Sequence, residues 1–246
     1  MKLQELQRNW NIYGETDPLW SILSASGKQG GKWDTTAFFE TGVREIAEVM
    51  ESLERLGVQL QRQRALDFGC GVGRLTQALG GHFNNVVGVD IAPSMIAQAG
   101  ALNRLGERCQ YFLNDAPNLK IFNKDSFDFI YSKYVLQHMT QTYVIGYLNE
   151  FLRVLATQGV LVFQLPSEYH PEREHRTTKQ AVARMAPRKL LDTYRKLRNK
   201  PIMEMHPIPR DQIIQVLESA GARVVHVADD PHDGRWTSLL YFAYKI

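Results

Sequence analysis

The hydrophobic positions first predict a long amphipathic helix in the N-terminal part of the chain. Asp34 or Thr35 can accept hydrogen bonds from the first free N–H groups of this helix, and Gly57 suits its end. Between these positions, apolar residues recur at steps of three and four, which is the spacing of one helix face. We therefore predict a buried face formed by Phe39, Val43, Ile46, Met50, Leu53 and Leu56.

Short apolar runs alternate with helical patterns from residue 64 onwards. Alternation of this kind predicts a parallel sheet with right-handed crossovers, and thus an α/β fold of the doubly wound type, in one domain over 1–246. Helical patterns follow the runs, for example over 72–80 and 143–156. The strand-like runs are RALDF, NVVGVD, CQYFLND, FDFIYS and GVLVFQLP, and after a helical pattern over 209–220 come ARVVHVAD and SLLYFAYKI, which can pair as an antiparallel edge hairpin.

Two segments stand outside this alternation. Residues 1–35 carry Trp20 and Trp33 among glycines and charged residues, a composition that suits a lid over a binding site. Residues 168–207 show no strand signal and contain a helical pattern over 179–198 with an excess of lysine and arginine. This basic insertion either attracts an acidic substrate as a cap over the site or is a solvated helix face.

Composition and charge exclude several classes of partner. The net charge of +3 is too small to favour nucleic acid, and no apolar run approaches the roughly 20 residues of a membrane span. The two cysteines, Cys70 and Cys109, have no disulfide or zinc spacing, and no acidic cluster suggests a metal site. We expect a cytoplasmic protein without a metal, a nucleic-acid partner or a membrane partner. The sequence does not indicate which oligomeric state the protein adopts.

A glycine-rich turn follows the first predicted strand, in the stretch RALDFGCGVG. Its glycines, Gly69, Gly71 and Gly73, stand at alternate positions, whereas a dinucleotide fingerprint has two residues between its second and third glycines. Asp67 lies two residues before the first glycine. A carboxylate there would repel a pyrophosphate but would attract an ammonium group, unless it caps the turn or the helix instead.

Two further carboxylates end the next predicted strands. Asp90 lies 21 residues after Gly69, where a carboxylate can accept hydrogen bonds from both hydroxyls of a ribose. Asp115 follows the third strand and can accept a hydrogen bond from an adenine amine. Because the carboxyl ends of parallel strands meet at one edge of a sheet, these groups together suit a nucleoside with a positively charged amino-acid tail.

These motifs resemble those of the class I S-adenosylmethionine-dependent methyltransferases. LDFGCGVGRLT is similar to the family's first motif, VVGVDIAPSMIAQA to its second, and NDAPNL to its adenine loop, while SFDFIYSKYVLQHM and EFLRVLATQGVLVFQLP resemble its fourth and fifth strand motifs. The resemblance implies a Rossmann-like sheet of seven strands with an antiparallel last strand, S-adenosylmethionine as cofactor and S-adenosylhomocysteine as product. It also implies cofactor contacts from Asp67, Gly69, Cys70 and Gly71 near the methionine portion, Asp90 at the ribose, and Ile91, Asn114, Asp115 and Ala116 at the adenine.

Methyl transfer from a sulfonium depends mainly on positioning, but a hydroxyl acceptor benefits from a general base. His138, after the fourth strand, is the sharper candidate for that base, although its place in VLQHM also fits a structural histidine. Tyr134 is a second candidate for a catalytic contact. Weaker candidates further along the chain are Glu168, His170, His175 and His206.

The sequence therefore predicts a methyltransferase that acts on a small-molecule or glycan acceptor, acidic if the basic insertion serves it, and most favourably at oxygen. No Asn/Asp-Pro-Pro-aromatic motif follows the fourth strand, which disfavours methylation of base or glutamine amino groups. The alternatives are N- or C-methylation of a metabolite and a non-catalytic partner subunit that binds the cofactor. A nicotinamide-dependent oxidoreductase is disfavoured by the glycine spacing and the lack of a Tyr-x-x-x-Lys motif.

Overall fold

The computed structural model describes residues 1–173, 201–230 and 234–246. Within them, seven strands form one sheet in the order β3-β2-β1-β4-β5-β7-β6. Strands β1 to β5 pair in parallel, and β7 runs antiparallel between β5 and β6. The predicted α/β fold and antiparallel last strand are confirmed. The bounds are β1 Arg64–Phe68, β2 Asn85–Asp90, β3 Cys109–Leu113, β4 Phe127–Ser132, β5 Leu155–Tyr169, β6 Ala222–Asp229 and β7 Trp236–Lys245.

Helices cover both faces of this sheet. Leu66 and Phe68 of β1 pack in one core with the helix that precedes β5, whereas Ala65 packs in a second core with the long N-terminal helix. This alternation of neighbouring residues between two cores is the mark of a strand covered on both sides. The described helices are α1 Leu3–Thr16, α2 Pro18–Ile22, α3 Thr35–Arg55, α4 Arg74–Leu79, α5 Pro93–Ala101, α6 Gln141–Val154 and α7 Arg210–Ser219.

The predicted amphipathic helix is α3, and its predicted cap is also confirmed. The carboxylate of Asp34 accepts a hydrogen bond of 2.8 Å from the N–H of Ala37. The predicted buried face is wrong at Val43, which is 57% exposed, and at Leu56, which is 37% exposed. Val43 lies outside the stripe that contacts the sheet, and Leu56 follows the last helical turn.

Helix α6 and strand β5 correct two predicted boundaries. Strand β5 runs to Tyr169, past its predicted end at Pro166 and into the segment that was predicted to lack a strand from Glu168, because Glu168 and Tyr169 still pair with β7. The helical pattern was expected to continue to Ala156, but Leu155 has extended backbone angles and already pairs with Phe127 of β4. Pairing in the sheet therefore overrides the local helical preference of two residues. The basic helix predicted over 179–198 lies outside the described residues. Among the described helices, none has the length and apolar character required to cross a membrane.

The N-terminal segment forms two helices that the hydrophobic pattern did not predict. Helix α1 packs against α5, where the N–H and hydroxyl of Ser94 donate hydrogen bonds to the side-chain and backbone oxygens of Asn11. Gly14 allows this close approach, because a Cβ atom at this position would lie 2.2 Å from Oγ of Ser94. The contact places α1 beside the carboxyl edge of the sheet.

Candidate active site

A pocket opens at the carboxyl edge of the parallel strands, at the place where sheets of this kind bind ligands. It encloses about 680 Å³ of empty space when its open mouth is included. Helices α1 and α2 contribute to its wall through Leu6, Trp10 and Ile22. The other lining residues are Phe68, Gly69, Gly71, Val89, Asp90, Ile91, Met95, Asn114, Lys133, Tyr134, Val135, His138, Met139 and Tyr147.

The glycine turn between β1 and α4 forms one wall of the pocket. Gly69 and Gly71 have φ values of 77° and 53°, in the left-handed region that favours glycine. A Cβ atom on Gly69 would lie 2.2 Å from Cγ2 of Val135, so a side chain has no room there. Gly73 does not line the pocket. It is the N-cap residue of α4, and it lies so close to the hydroxyl of Tyr111 that a Cβ atom would not fit, so its role is in packing.

Asp90 lies at the end of β2 with its carboxylate held by two backbone N–H groups. Gly71 donates to Oδ2 over 2.9 Å, and Ala92 donates to Oδ1 over 2.8 Å. Each oxygen thus retains a lone pair for a further hydrogen bond. Burial raises the pKa of Asp90, and the backbone N–H groups of Ala92, Gly71 and Ile91 oppose that rise. Ile91, the next residue, lines the same part of the pocket.

The loop after β3 brings Asn114, but not Asp115, to the pocket lining. The backbone N–H of Asn114 donates a hydrogen bond of 2.9 Å to the carbonyl of Asp90, which joins the ends of β2 and β3. The carbonyl of Ala116 accepts a hydrogen bond of 2.7 Å from the hydroxyl of Tyr147. Asp115 is exposed, and its predicted contact with adenine stays a prediction.

Asp67, at the end of β1, and Cys70, within the glycine turn, are buried and do not line the pocket. The buried carboxylate of Asp67 accepts a hydrogen bond of 2.6 Å from the hydroxyl of Thr76 in α4, which matches the alternative that it holds the turn and helix together. Burial raises the pKa of Asp67 to about 7. Burial also raises the pKa of the Cys70 thiol, so the thiol stays protonated and is not a reactive thiolate. Cys70 therefore serves as a small residue in the turn.

His138 lines the pocket with both ring nitrogens engaged. Nδ1 lies 2.7 Å from the carbonyl oxygen of Glu204, so Nδ1 carries the proton and donates it to that carbonyl. Nε2 then accepts from the side-chain amide of Gln137 over 3.2 Å. The ring of Trp10 packs 5.2 Å away, centroid to centroid. Burial lowers the pKa of His138 to about 4, and the imidazole is therefore neutral at pH 7.

The depressed pKa of His138 predicts a specific loss of stability in acid. The unfolded chain takes up the proton near pH 6.5 and the folded chain only near pH 4, so stability falls as the pH drops through this window. Denaturant titrations at pH 7 and pH 4.5 should show that His138→Gln removes about 2 kcal/mol of the pH-dependent change in the free energy of unfolding. Replacement of the exposed His226 by glutamine is the control and should retain the wild-type dependence. Equal pH dependence in both variants would contradict this assignment.

A buried polar network that sequence analysis missed supports the same wall. The amide of Gln164 in β5 donates to Gln137 over 3.2 Å and to Ser238 over 2.7 Å, and its oxygen accepts from the N–H of Tyr134 over 3.1 Å. Tyr134 has a φ of 60°, a left-handed conformation that is strained for a tyrosine. Burial raises the pKa of its phenol to about 12. The one sequence signal for this network is a glutamine inside the apolar run GVLVFQLP.

A cluster of charged side chains lies next to Tyr134 and was also missed. Nζ of Lys133, directly after β4, lies 2.9 Å from Asp230 and 3.9 Å from Glu45. Glu45 in turn binds Arg74 over 2.9 Å and the hydroxyl of Tyr131 over 2.9 Å. Burial lowers the pKa of Lys133, but the two carboxylates outweigh burial and the pKa lies above its usual value. Lys133 is therefore an ammonium at the pocket wall.

The weaker sequence candidates lie away from the pocket lining. Nε2 of His170 is 2.7 Å from the hydroxyl of Thr237, and the N–H of His206 donates to the carbonyl of Gln137 over 2.8 Å. His175 lies outside the described residues, and Glu168 pairs with β7. Across residues 1–173, 201–230 and 234–246, no group of three His, Cys, Asp or Glu side chains is arranged to hold a metal ion.

Residues 66–163 match the family described as "Methyltransferase domain", a span that runs from β1 to β5 and contains the glycine turn, Asp90 and Lys133. Over this span, which is less than half of the chain, the sequence is similar to methyltransferase domains. This similarity indicates an enzyme of the methyltransferase class.

One curated relative of this chain is the biotin biosynthesis bifunctional protein BioHC of Cellvibrio japonicus (strain Ueda107). It is 30% identical over 138 residues, which cover 56% of this chain and 26% of the relative. The match thus spans about a quarter of the relative's length, and the biosynthetic role in its name is stated of that protein alone.

Two solved structures share the fold over nearly the whole chain. Magnesium protoporphyrin IX methyltransferase (ChlM) from Synechocystis PCC 6803, with bound SAH, has a TM-score of 0.66 at 16% identity, with 100% of each chain covered. An S-adenosylmethionine-dependent methyltransferase from Clostridium acetobutylicum ATCC 824 has a TM-score of 0.62 at 15% identity, with 96% of this chain and 99% of that chain covered. At these identities the two structures establish the fold and leave the acceptor open.

Proposed function

We propose that S-adenosylmethionine binds in the pocket described above and that the domain transfers its methyl group to an oxygen of a small-molecule or glycan acceptor. The observation that carries the proposal is the carboxylate of Asp90. Its two oxygens are oriented by Gly71 and Ala92 and keep one free lone pair each, which suits the two hydroxyls of a ribose. Ile91 and Met95 would contact the faces of the adenine, and Asn114 its edge.

The sheet order supports separate donor and acceptor halves of the pocket. Strand β1 carries the glycine turn at the centre, β2 and β3 lie on one side of it, and β4 lies on the other. The donor half therefore contains Asp90 and Asn114, with the methionine portion near Gly69 and Gly71. The acceptor half contains Lys133 and the residues that follow β4.

Residues 1–35 are proposed to act as a lid over both halves. Leu6 and Trp10 of α1 and Ile22 of α2 already line the pocket, and Ile22 contacts the glycine turn closely enough to exclude a Cβ atom on Gly71. A lid of this kind keeps water from the sulfonium and limits the space for the acceptor. The limited space favours a small acceptor over a macromolecule.

The reaction is proposed to proceed by direct displacement. A lone pair of the acceptor oxygen forms the new bond to the methyl carbon, and the electrons of the carbon–sulfur bond pass to sulfur, which yields S-adenosylhomocysteine. His138 was predicted as the base for a hydroxyl acceptor, but its proton donor and acceptor sites are both occupied within the protein. We therefore assign His138 a positioning role, in which its neutral ring packs against Trp10 in the pocket wall.

The test combines binding with product identification. Purified protein should bind S-adenosylmethionine in calorimetry and should not bind NADH. Incubation with cofactor carrying a tritiated methyl group and an ultrafiltered extract of the source organism should then label a small molecule, whose methyl ether or ester is identified by mass spectrometry. No binding of the cofactor would refute the proposal, label on nitrogen or carbon would refute the oxygen assignment, and binding without any labelled product would favour the partner-subunit alternative.

A further inference from the structure

We propose that Lys133 binds a carboxylate of the methyl acceptor, so that the substrates of this domain are small carboxylic acids with an apolar body and the products are their methyl esters. This inference rests on the proposed function, since it assumes that the donor occupies the half of the pocket around Asp90. It adds a substrate class and a residue that selects that class.

The charges of the pocket lining place a cation in the acceptor half. Among the described residues that line the pocket, only Asp90 and Lys133 carry a full charge, because His138 is neutral. Asp90 ends β2 and Lys133 follows β4, on opposite sides of the central strand β1. A ligand that extends from the donor half beyond the glycine turn therefore meets an ammonium group.

Lys133 has hydrogen-bonding capacity beyond its partners in the protein. Within the described part of the chain it donates one hydrogen bond, to Asp230, whereas Glu45 at 3.9 Å lies beyond hydrogen-bond distance and is engaged by Arg74 and Tyr131. An ammonium group has three N–H donors. Because its side chain is only 10% exposed, a charge-assisted hydrogen bond to an incoming carboxylate would form in a weakly screened environment.

The apolar part of the pocket lining defines the rest of the acceptor. Leu6, Trp10, Val135 and Met139 are apolar or aromatic and line the same pocket. A carboxylic acid with an aromatic or aliphatic body would bury that body against them while its carboxylate pairs with Lys133.

Ester formation also requires no general base, and none of the described lining residues is available to act as one. A carboxylate oxygen attacks the methyl carbon, the carbon–sulfur bond breaks toward sulfur, and the negative carboxylate and positive sulfonium become a neutral ester and a neutral thioether. No proton is removed, so no general base is required. This matches a pocket in which the described histidine, His138, has both nitrogens engaged and the phenol of Tyr134 is neutral.

The probe for this site is benzoate, with benzyl alcohol as its uncharged counterpart. Both are titrated by ligand-observed NMR against protein saturated with S-adenosylhomocysteine, so that the donor half is filled. Benzoate is expected to bind roughly tenfold or more tightly than benzyl alcohol, and Lys133→Met should abolish that preference while its affinity for S-adenosylhomocysteine stays within twofold. Lys133→Arg should retain the preference. Lys124→Met, at a lysine that is 72% exposed, is the surface control and should bind both probes as the wild type does.

A second variant keeps the inference testable if Lys133→Met does not fold. Asp230→Asn removes the anion that competes for Lys133 and is expected to tighten benzoate binding severalfold, with no change for benzyl alcohol. Equal affinity of the wild type for the two probes, an unchanged preference in Lys133→Met, or weaker benzoate binding in Asp230→Asn would each overturn the inference. Tenfold weaker binding of S-adenosylhomocysteine by Lys133→Met would assign the lysine to the cofactor's own carboxylate and overturn it as well. Failure of the wild type to bind S-adenosylhomocysteine would instead refute the proposed function.

Discussion

Replacement of Asp90 by alanine is expected to weaken S-adenosylmethionine binding by about tenfold to a hundredfold. The proposed ribose contact consists of hydrogen bonds to a charged group, and each such bond contributes about 1.5–3 kcal/mol. The variant also leaves the N–H groups of Gly71 and Ala92 without their acceptor, which loosens the glycine turn. Calorimetric titration with S-adenosylhomocysteine, which is not consumed, measures the loss directly.

Asp128→Ala is a matched control for this variant. Asp128 also accepts two backbone hydrogen bonds, from Gln63 at 2.9 Å and Arg64 at 2.8 Å, but it lies near the start of β4, at the end of the sheet opposite the pocket. Its removal should lower the free energy of unfolding and leave cofactor affinity unchanged. If Asp90→Ala and Asp128→Ala bind the cofactor equally well, Asp90 does not hold the ribose.

Replacement of Gly69 by alanine should impair both folding and cofactor binding. The residue has a φ of 77°, which costs a residue with a side chain about 1–2 kcal/mol, and the new methyl group would lie 2.2 Å from Cγ2 of Val135. Relief of that overlap costs about 1–3 kcal/mol more, so the free energy of unfolding should fall by about 2–5 kcal/mol in total. Because both atoms belong to the pocket wall, cofactor affinity should also fall by about tenfold or more.

Gly57→Ala separates the two causes. Gly57 has a similar φ of 67°, but a Cβ atom there would meet nothing within 4 Å. This control should therefore show only the backbone cost and normal cofactor binding. The double variant Gly69→Ala/Val135→Ala should recover part of the lost stability, since the shorter side chain makes room for the methyl group. Identical losses of stability in Gly69→Ala and Gly57→Ala would show that the contact with Val135 carries no cost.

The features that the sequence predicted correctly depend on neighbours within a few residues. The period of α3, its cap at Asp34 and the alternation of strands with helices are each set by local spacing. The proposed donor half depends on the same local spacing, because the glycine turn and Asp90 come directly after strands whose carboxyl ends must meet. Local spacing failed at Val43 and at Leu155, where contact with the sheet decided exposure and strand pairing.

The sequence by itself thus determined the α/β fold, and it predicted a donor site at the carboxyl edge of the sheet that stays a prediction. Only the tertiary structure decided that Asp67 binds Thr76 instead of lining the pocket, and that His138 has both nitrogens engaged. It also decided the position of Lys133, which meets Asp230 from 97 positions further along the chain. No periodicity encodes such a pair. Its distance depends on β4 and β6 ending at the same edge of the sheet, although β5 and β7 lie between them in the sheet order.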